Sequence, residues 1–236
     1  MSYLNTKPLV YGFEQGVMKD EIELQYEYPS RIAAMLLNDQ IDVGLVPVAI
    51  IPKLKECHII TDFCIGADGA VASVCLFSEV PLENVEKVLL DYQSRTSVEL
   101  AKLLIKNYWK LNPELVDGKE DFRENIKGTT AGLVIGDRAF EQRKISPYIY
   151  DLGEAWKNFT GLPFVFAAWV SNKKLPASFV DAFNKANAIG LNNLNLLLRD
   201  ISSPFFDLRE YYTKCIRYHL DEHKLKGLDL FLQNLS

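Results

Sequence analysis

From Glu21 to Tyr28, Ile22, Leu24 and Tyr26 alternate with Glu23, Gln25 and Glu27, the two-residue period of a half-buried strand. Pro29 and Ser30 then open a helical period through Ile32, Ala33, Leu36 and Leu37, which closes near Asn38 and Asp39. IDVGLV at 41–46 reads as the next strand, and 47–54 as a short helix. Strand, helix and strand joined by short connections predict an α/β unit with a parallel sheet. Residues 59–63 and 70–77 look extended, and GAVASVCLF is long enough to run from one structural unit to another.

After Pro81 the pattern restarts. Val88–Leu90 predicts a strand and the following residues a helix to Trp109. A polar stretch at 112–130, a strand at 132–135 and a helix from Asp137 come next, then strands at 148–152 and 164–170. Beyond these the periodicity predicts only helix, over 176–199, 207–219 and 222–235. The distribution predicts two α/β lobes. Residues 1–78 and 171–236 form the first, and 79–170 form a second inserted into it, with two crossing strands and a ligand cleft between the lobes.

The restart contains a candidate anion site, VLLDYQSRTSVELAKLL at 88–104. A buried strand ends in a polar turn, and a helix opens at Thr96 and Ser97, so unpaired N–H groups and a partial positive charge collect there. The plainer reading is that Ser94 or Thr96 is only a helix cap.

Composition narrows the partners. The 236 residues are 48% hydrophobic, enough for real cores, and the formal net charge is -5, with scattered Lys and Arg. Nucleic acid is therefore not the expected partner, and an anionic ligand has to be bound locally. Four cysteines without C-x-x-C spacing suit reduced, buried thiols. MSYLNTKPLVYGF has no basic start with an apolar core, and no apolar run reaches about 18 residues, so the expected location is cytoplasmic and away from membranes. Tyr3 and Leu4 read as the end of a strand whose greater part is missing, with Asn5, Thr6 and Pro8 as the turn after it.

A search for catalytic sets is mostly negative. His219 and His223 fall in the polar tail, and His58 begins an apolar strand, where it reads as a lobe-edge residue. No G-x-S-x-G, H-E-x-x-H, P-loop or G-x-G-x-x-G pattern occurs, and G-A-D-G at 66–69 reads first as a tight turn. What remains is small polar residues at strand ends: Asn5 and Thr6, Ser73, Ser94 through Arg95 and Thr96 to Ser97, Gly136 with Asp137, and Thr160 with Gly161. Each also has a local turn-forming reason to be there. Ser73 stands out because a hydroxyl among Val71, Ala72, Val74 and Cys75 needs a partner.

These segments carry a resemblance. SYLNTKPL at 2–9, DVGLVPV at 42–48, IGADGAVASV at 65–74, LDYQSRTS at 90–97, LVIGD at 133–137, and DLGEAW with TGLPFVFA, ending at Ala167, occur in that order. Together they resemble the chorismate dehydratase family of the futalosine route to menaquinone, across nearly the whole chain. The resemblance implies a type II periplasmic-binding-protein-like fold adapted to catalysis inside the cell. It implies that chorismate loses its ring hydroxyl and a neighbouring ring proton to give 3-[(1-carboxyvinyl)oxy]benzoate, with no cofactor and no metal. Such a step needs two carboxylates held, a leaving hydroxyl polarised and the ring oriented more than it needs a strong base.

By the same resemblance, Asn5 and Ser73 are the residues nearest the chemistry. Thr6, Ser94, Arg95, Thr96, Ser97, Gly136, Asp137, Thr160 and Gly161 are the candidates for substrate binding. Proton removal is not assigned to a side chain, and the substrate's enolpyruvyl carboxylate is one available base. Relatives typically carry several more residues before S-Y-L-N, forming the first strand, so this chain is expected either to start late or to lose most of a central strand. The competing readings are an enzyme related to 1,4-dihydroxy-6-naphthoate synthase, whose opening is typically S-P-D-T, a solute-binding protein for a small anion, and an inactive family member acting as a sensor.

Overall fold

The structure is a computed structural model that describes residues 3–235. A 3-10 turn at Leu4–Thr6 leads into α1 (Lys7–Glu14), followed by α2 (Pro29–Leu37), β1 (Val43–Pro47), a 3-10 turn at Val48–Lys53 and β2 (His58–Ala67). Next come β3 (Val74–Ser78), β4 (Lys87–Leu90), α3 (Arg95–Leu103), β5 (Glu114–Asp117), β6 (Thr130–Ile135), α4 (Asp137–Gln142), β7 (Tyr148–Asp151) and α5 (Leu152–Thr160). The chain ends with β8 (Phe164–Ser171), α6 (Ala177–Asn192), α7 (Leu194–Asp200), α8 (Leu208–Glu210), β9 (Arg217–His219) and α9 (Glu222–Gln233).

Among the described residues the strands form two sheets, ordered β1-β8-β2-β9 and β5-β4-β6-β3-β7. The chain passes from the first to the second in the loop between β2 and β3, and returns through α5. GAVASVCLF is therefore a loop followed by a strand of the second sheet, not one crossing strand. The second sheet has the expected parallel pairs, β4 with β5 and with β6, beside antiparallel β3 and β7. The first sheet is antiparallel throughout, against expectation.

The reason lies at residues 22–28. This segment has no regular secondary structure, and Ile22 and Leu24 pack on the core as the alternation predicts, yet it belongs to neither sheet. Without it, α2 and β1 lack the parallel partner that would complete a β-α-β unit, and β1 is paired on one side only, with β8. The start of the chain departs as well. Residues 7–14, which include Pro8, form α1, because proline is tolerated in the first helical turn, where its missing N–H is not needed. The polar stretch at 112–130 includes β5, and the predicted helix at 207–219 breaks into α8, a π-helical turn at Tyr211–Cys215 and β9.

Local chemistry explains the helices that frame the site. The Asp151 side chain caps α5 through Gly153 and Glu154 N–H, and Gly161 closes it at φ 76°, where residues with a side chain are strained. α1 lies unusually close to α6, because a Cβ on Gly12 would collide with the Ala186 carbonyl and one on Gly190 with the Pro8 carbonyl. That reciprocal approach seats α1, and with it the Asn5 turn, on the first sheet's helical layer. Among the described residues no helix is long and apolar enough to cross a membrane.

Candidate functional site

A cavity of about 470 Å³ opens between the two sheets, within the size range of small-molecule sites. Asn5, Thr6, Ser73, Ser94, Ser97 and Gly136 all line it, so residues spread over 130 positions meet on one surface. Its opposite flank is formed by the segment at 21–27 and the beginning of β1. That flank carries Glu21, Glu23, Glu27 and Asp42, and Lys173 beside them pairs with Asp42 at 2.5 Å. The aromatic rings of Phe13, Phe166 and Trp169 supply apolar wall.

Ser73 sits in a constrained turn. Ser73 N–H donates to the Val71 carbonyl at 2.8 Å around Ala72, whose φ of 64° lies in the left-handed region. A non-glycine residue there is strained and persists only where its surroundings hold it. The Asp151 carboxylate does so, accepting from Val71 N–H at 3.0 Å and Ala72 N–H at 2.7 Å. Arg143 donates to the Ala72 carbonyl at 3.4 Å, and Gly136 N–H donates to the Ser73 carbonyl at 2.8 Å. The hydroxyl itself meets the Tyr211 phenol at 2.8 Å, while its own route to the Val71 carbonyl is a long 3.5 Å.

The Asn5 turn is held from the chain's other end. Tyr212 O–H donates to the Leu4 carbonyl at 3.0 Å and Tyr218 O–H to the Asn5 carbonyl at 2.9 Å. Leu4 N–H donates to the Asp137 carboxylate at 3.2 Å, and burial pushes that carboxyl above the ordinary range, a shift this hydrogen bond opposes. Asn5 Oδ1 accepts from Thr6 Oγ1 at 3.3 Å, which makes the amide nitrogen the donor that its side chain offers a ligand. Gly136, at φ 66°, is required by contact as well as conformation, because a Cβ there would enter the Tyr3 ring.

The turn before α3 shows that helix cap and candidate anion site coincide. Ser94 Oγ accepts from Ser97 N–H at 3.1 Å and donates to Ser97 Oγ at 2.9 Å, and both residues face the cavity. Below the turn, buried Asp91 accepts from Arg138 at 2.6 Å and from the N–H groups of Gln93 and Ile135, fixing the strand end. Burial nevertheless pushes its carboxyl up, the arginine and these N–H groups opposing the shift.

Five expected site residues lie off the cavity wall. Arg95 is exposed, and Thr96 turns away to accept Ala49 N–H at 3.1 Å, tying α3 to the turn after β1. Asp137 acts behind the wall through Leu4. Thr160 and Gly161 end α5, not a strand: Thr160 O–H donates to the Trp156 carbonyl at 2.9 Å, a local helix-end role. Conversely, Tyr211, Tyr212, Tyr218 and Asp151 were not expected at the site. The D-L-G-E capping pattern could have marked Asp151 as a helix N-cap, but no local pattern relates the tail tyrosines to residues 138 to 213 positions away. None of the three histidines lines the cavity, and His58 pairs with Glu56 at 2.6 Å. No cluster of three or more His, Cys, Asp or Glu among the described residues is arranged to hold a metal ion.

Comparison with known proteins places this geometry. Among solved structures the chain is similar to a protein of Archaeoglobus fulgidus, with TM-score 0.76 and 14% identity over 98% of this chain and 93% of that one. It is also similar to the periplasmic aliphatic sulphonate-binding protein of Escherichia coli, with TM-score 0.57 and 12% identity over 98% and 89%. At these identities the likeness concerns the fold alone, a two-lobe α/β fold of the periplasmic-binding type. In sequence it is similar to chorismate dehydratase of Thermus thermophilus, 27% identical over 99% of this chain and 93% of the relative. Chorismate dehydratase of Campylobacter jejuni is 28% identical over 94% and 83%. The menaquinone biosynthesis family matches residues 1–236, and the chain belongs to that family.

Proposed function

We propose that the protein is a chorismate dehydratase, a carbon–oxygen lyase that converts chorismate to 3-[(1-carboxyvinyl)oxy]benzoate and water. The observation that carries this reading is the meeting of Asn5, Ser73, Ser94 and Ser97 on the wall of one cavity, in a chain similar to two chorismate dehydratases. The lobes are taken as 1–78 with 171–236, and the inserted 79–170, although β3 at the end of the first pairs into the second sheet and β8 at the end of the insert pairs into the first.

In this reading the substrate's ring carboxylate is held at the α3 turn by hydroxyls and the helix's positive end. Asn5 and Ser73 bond the leaving ring hydroxyl and the side-chain carboxylate. The ring C–H bond breaks, its electron pair enters the ring, and the C–O bond to the hydroxyl breaks. Hydroxide leaves with the abstracted proton as water, and the ring becomes aromatic. The groups gathered at Asn5 and Ser73 are an amide and hydroxyls, which hydrogen-bond but do not act as bases near neutral pH; the substrate's own enolpyruvyl carboxylate is one available base, and Glu21, Glu23, Glu27 and Asp42 on the opposite flank are others. Closing the lobes excludes water and strengthens each of these hydrogen bonds. The four unpaired cysteines suit a reducing cytoplasm.

Incubating the purified protein with chorismate tests the reading. Loss of one water by mass, with growth of an aromatic ultraviolet band, is the expected result. Unchanged chorismate would contradict it.

A further inference from the structure

We infer that Tyr211 is a positioning residue: its phenol donates to Ser73 Oγ and so commits the serine proton to the bound substrate. The inference rests on the chorismate reading and extends it to a residue outside the cavity wall. Tyr211 is completely buried, and its hydroxyl has Ser73 Oγ 2.8 Å away. Two proton arrangements are available. If Ser73 donated to Tyr211, the phenol proton would be left in the core, where an unmade hydrogen bond is costly. If Tyr211 donates, its requirement is met, and the serine proton has only the Val71 carbonyl at 3.5 Å or a ligand to turn to. The second arrangement satisfies every group once substrate is bound.

The surroundings enforce this direction. Burial pushes the Tyr211 phenol well above its ordinary range, so it stays protonated and can only be a donor or a neutral acceptor. Its ring is fixed by edge contact with Phe140 at 4.9 Å and by Phe206 at 6.2 Å between centroids. The Ser73 backbone is clamped by Asp151 and Gly136, which holds its side chain beside the phenol. A donor to Ser73 Oγ also strengthens the bond that Ser73 makes onward, because linked hydrogen bonds polarise one another. The π-helical turn at Tyr211–Cys215 aims the phenol inward, one of the places where such turns serve a site.

Tyr211→Phe keeps the ring and removes only the hydroxyl. With chorismate as substrate, kcat is expected to fall about tenfold while KM stays within about twofold, and the melting temperature changes little. In a Ser73→Ala background the same change is expected to have no further effect, because the group it acts through is gone. A Tyr211→Phe enzyme as fast as wild type, or one equally impaired in both backgrounds, would overturn the inference while leaving the dehydratase reading intact. A wild-type protein that leaves chorismate unchanged would sink that reading, and this inference with it.

Discussion

At the scale of residues, the site is made of hydrogen-bond donors held still, and its predictions follow from removing them singly. Asn5→Ala and Ser73→Ala are each expected to lower kcat by roughly a hundredfold or more, with the thermal midpoint little changed, as for donors aimed at developing charge. Steady-state kinetics beside thermal melts check this, and a loss of activity matched by a loss of stability would contradict it. Ser97→Ala is expected to raise KM for chorismate, by one charge-assisted hydrogen bond of about 1.5 to 3 kcal/mol, with kcat nearly kept. Asp137 predicts a pH effect. Burial raises its carboxyl in the folded protein, so ionising it opposes folding above that raised value, and the opposition vanishes below the unfolded value of 3.8. Asp137→Asn, which still accepts from Leu4 N–H, should therefore be the more stable protein at neutral pH, with an advantage that shrinks as urea melts are repeated toward acid. Part of this site was legible in the sequence: Asn5, Ser73, Ser94 and Ser97 read as small polar residues at strand ends, each also with a local turn-forming reason to be there, and all four line the cavity. Tyr211 was not, because a tyrosine in a polar, helical tail carries no sign of its partner until the fold brings its hydroxyl to a serine 138 residues away.

At the scale of elements, the contact between α1 and α6 decides where the Asn5 turn stands. Gly190→Ala would drive a methyl into the Pro8 carbonyl, and backbone cannot yield as a side chain does. We expect a loss of roughly 1 to 3 kcal/mol in stability and a larger fall in activity than a surface substitution gives, read by denaturant melts and turnover. An unaffected protein would show that α1 is not seated as described. Element identity was readable wherever period and punctuation agreed, as in α2, β4 and β8. It failed where tertiary partners decide. Residues 22–28 have the alternation of a strand but no neighbour to pair with, while Asp151 and Gly161 bound a helix, α5, in the stretch between the strands read at 148–152 and 164–170, where no element was read.

At the scale of the whole molecule, two sheets share one cavity, and the chain ends supply its supports: Asn5 near the start, with Tyr211, Tyr212 and Tyr218 near the finish. The thiols report on the integrity of this assembly. Burial raises all four, Cys64 to about 12 and Cys75 well above its ordinary value, so the folded protein should resist alkylation at pH 8 and all four should react once it is unfolded. A fast-reacting thiol in the native protein would contradict that packing. The central claim is that the cavity dehydrates chorismate at Asn5 and Ser73. The most direct measurement is the time course of chorismate loss and 3-[(1-carboxyvinyl)oxy]benzoate formation by wild type and Ser73→Ala in parallel. Stoichiometric conversion by the wild type and a rate at least a hundredfold lower in the folded variant are the predicted result. No conversion by the wild type, or equal rates in the two, would contradict it.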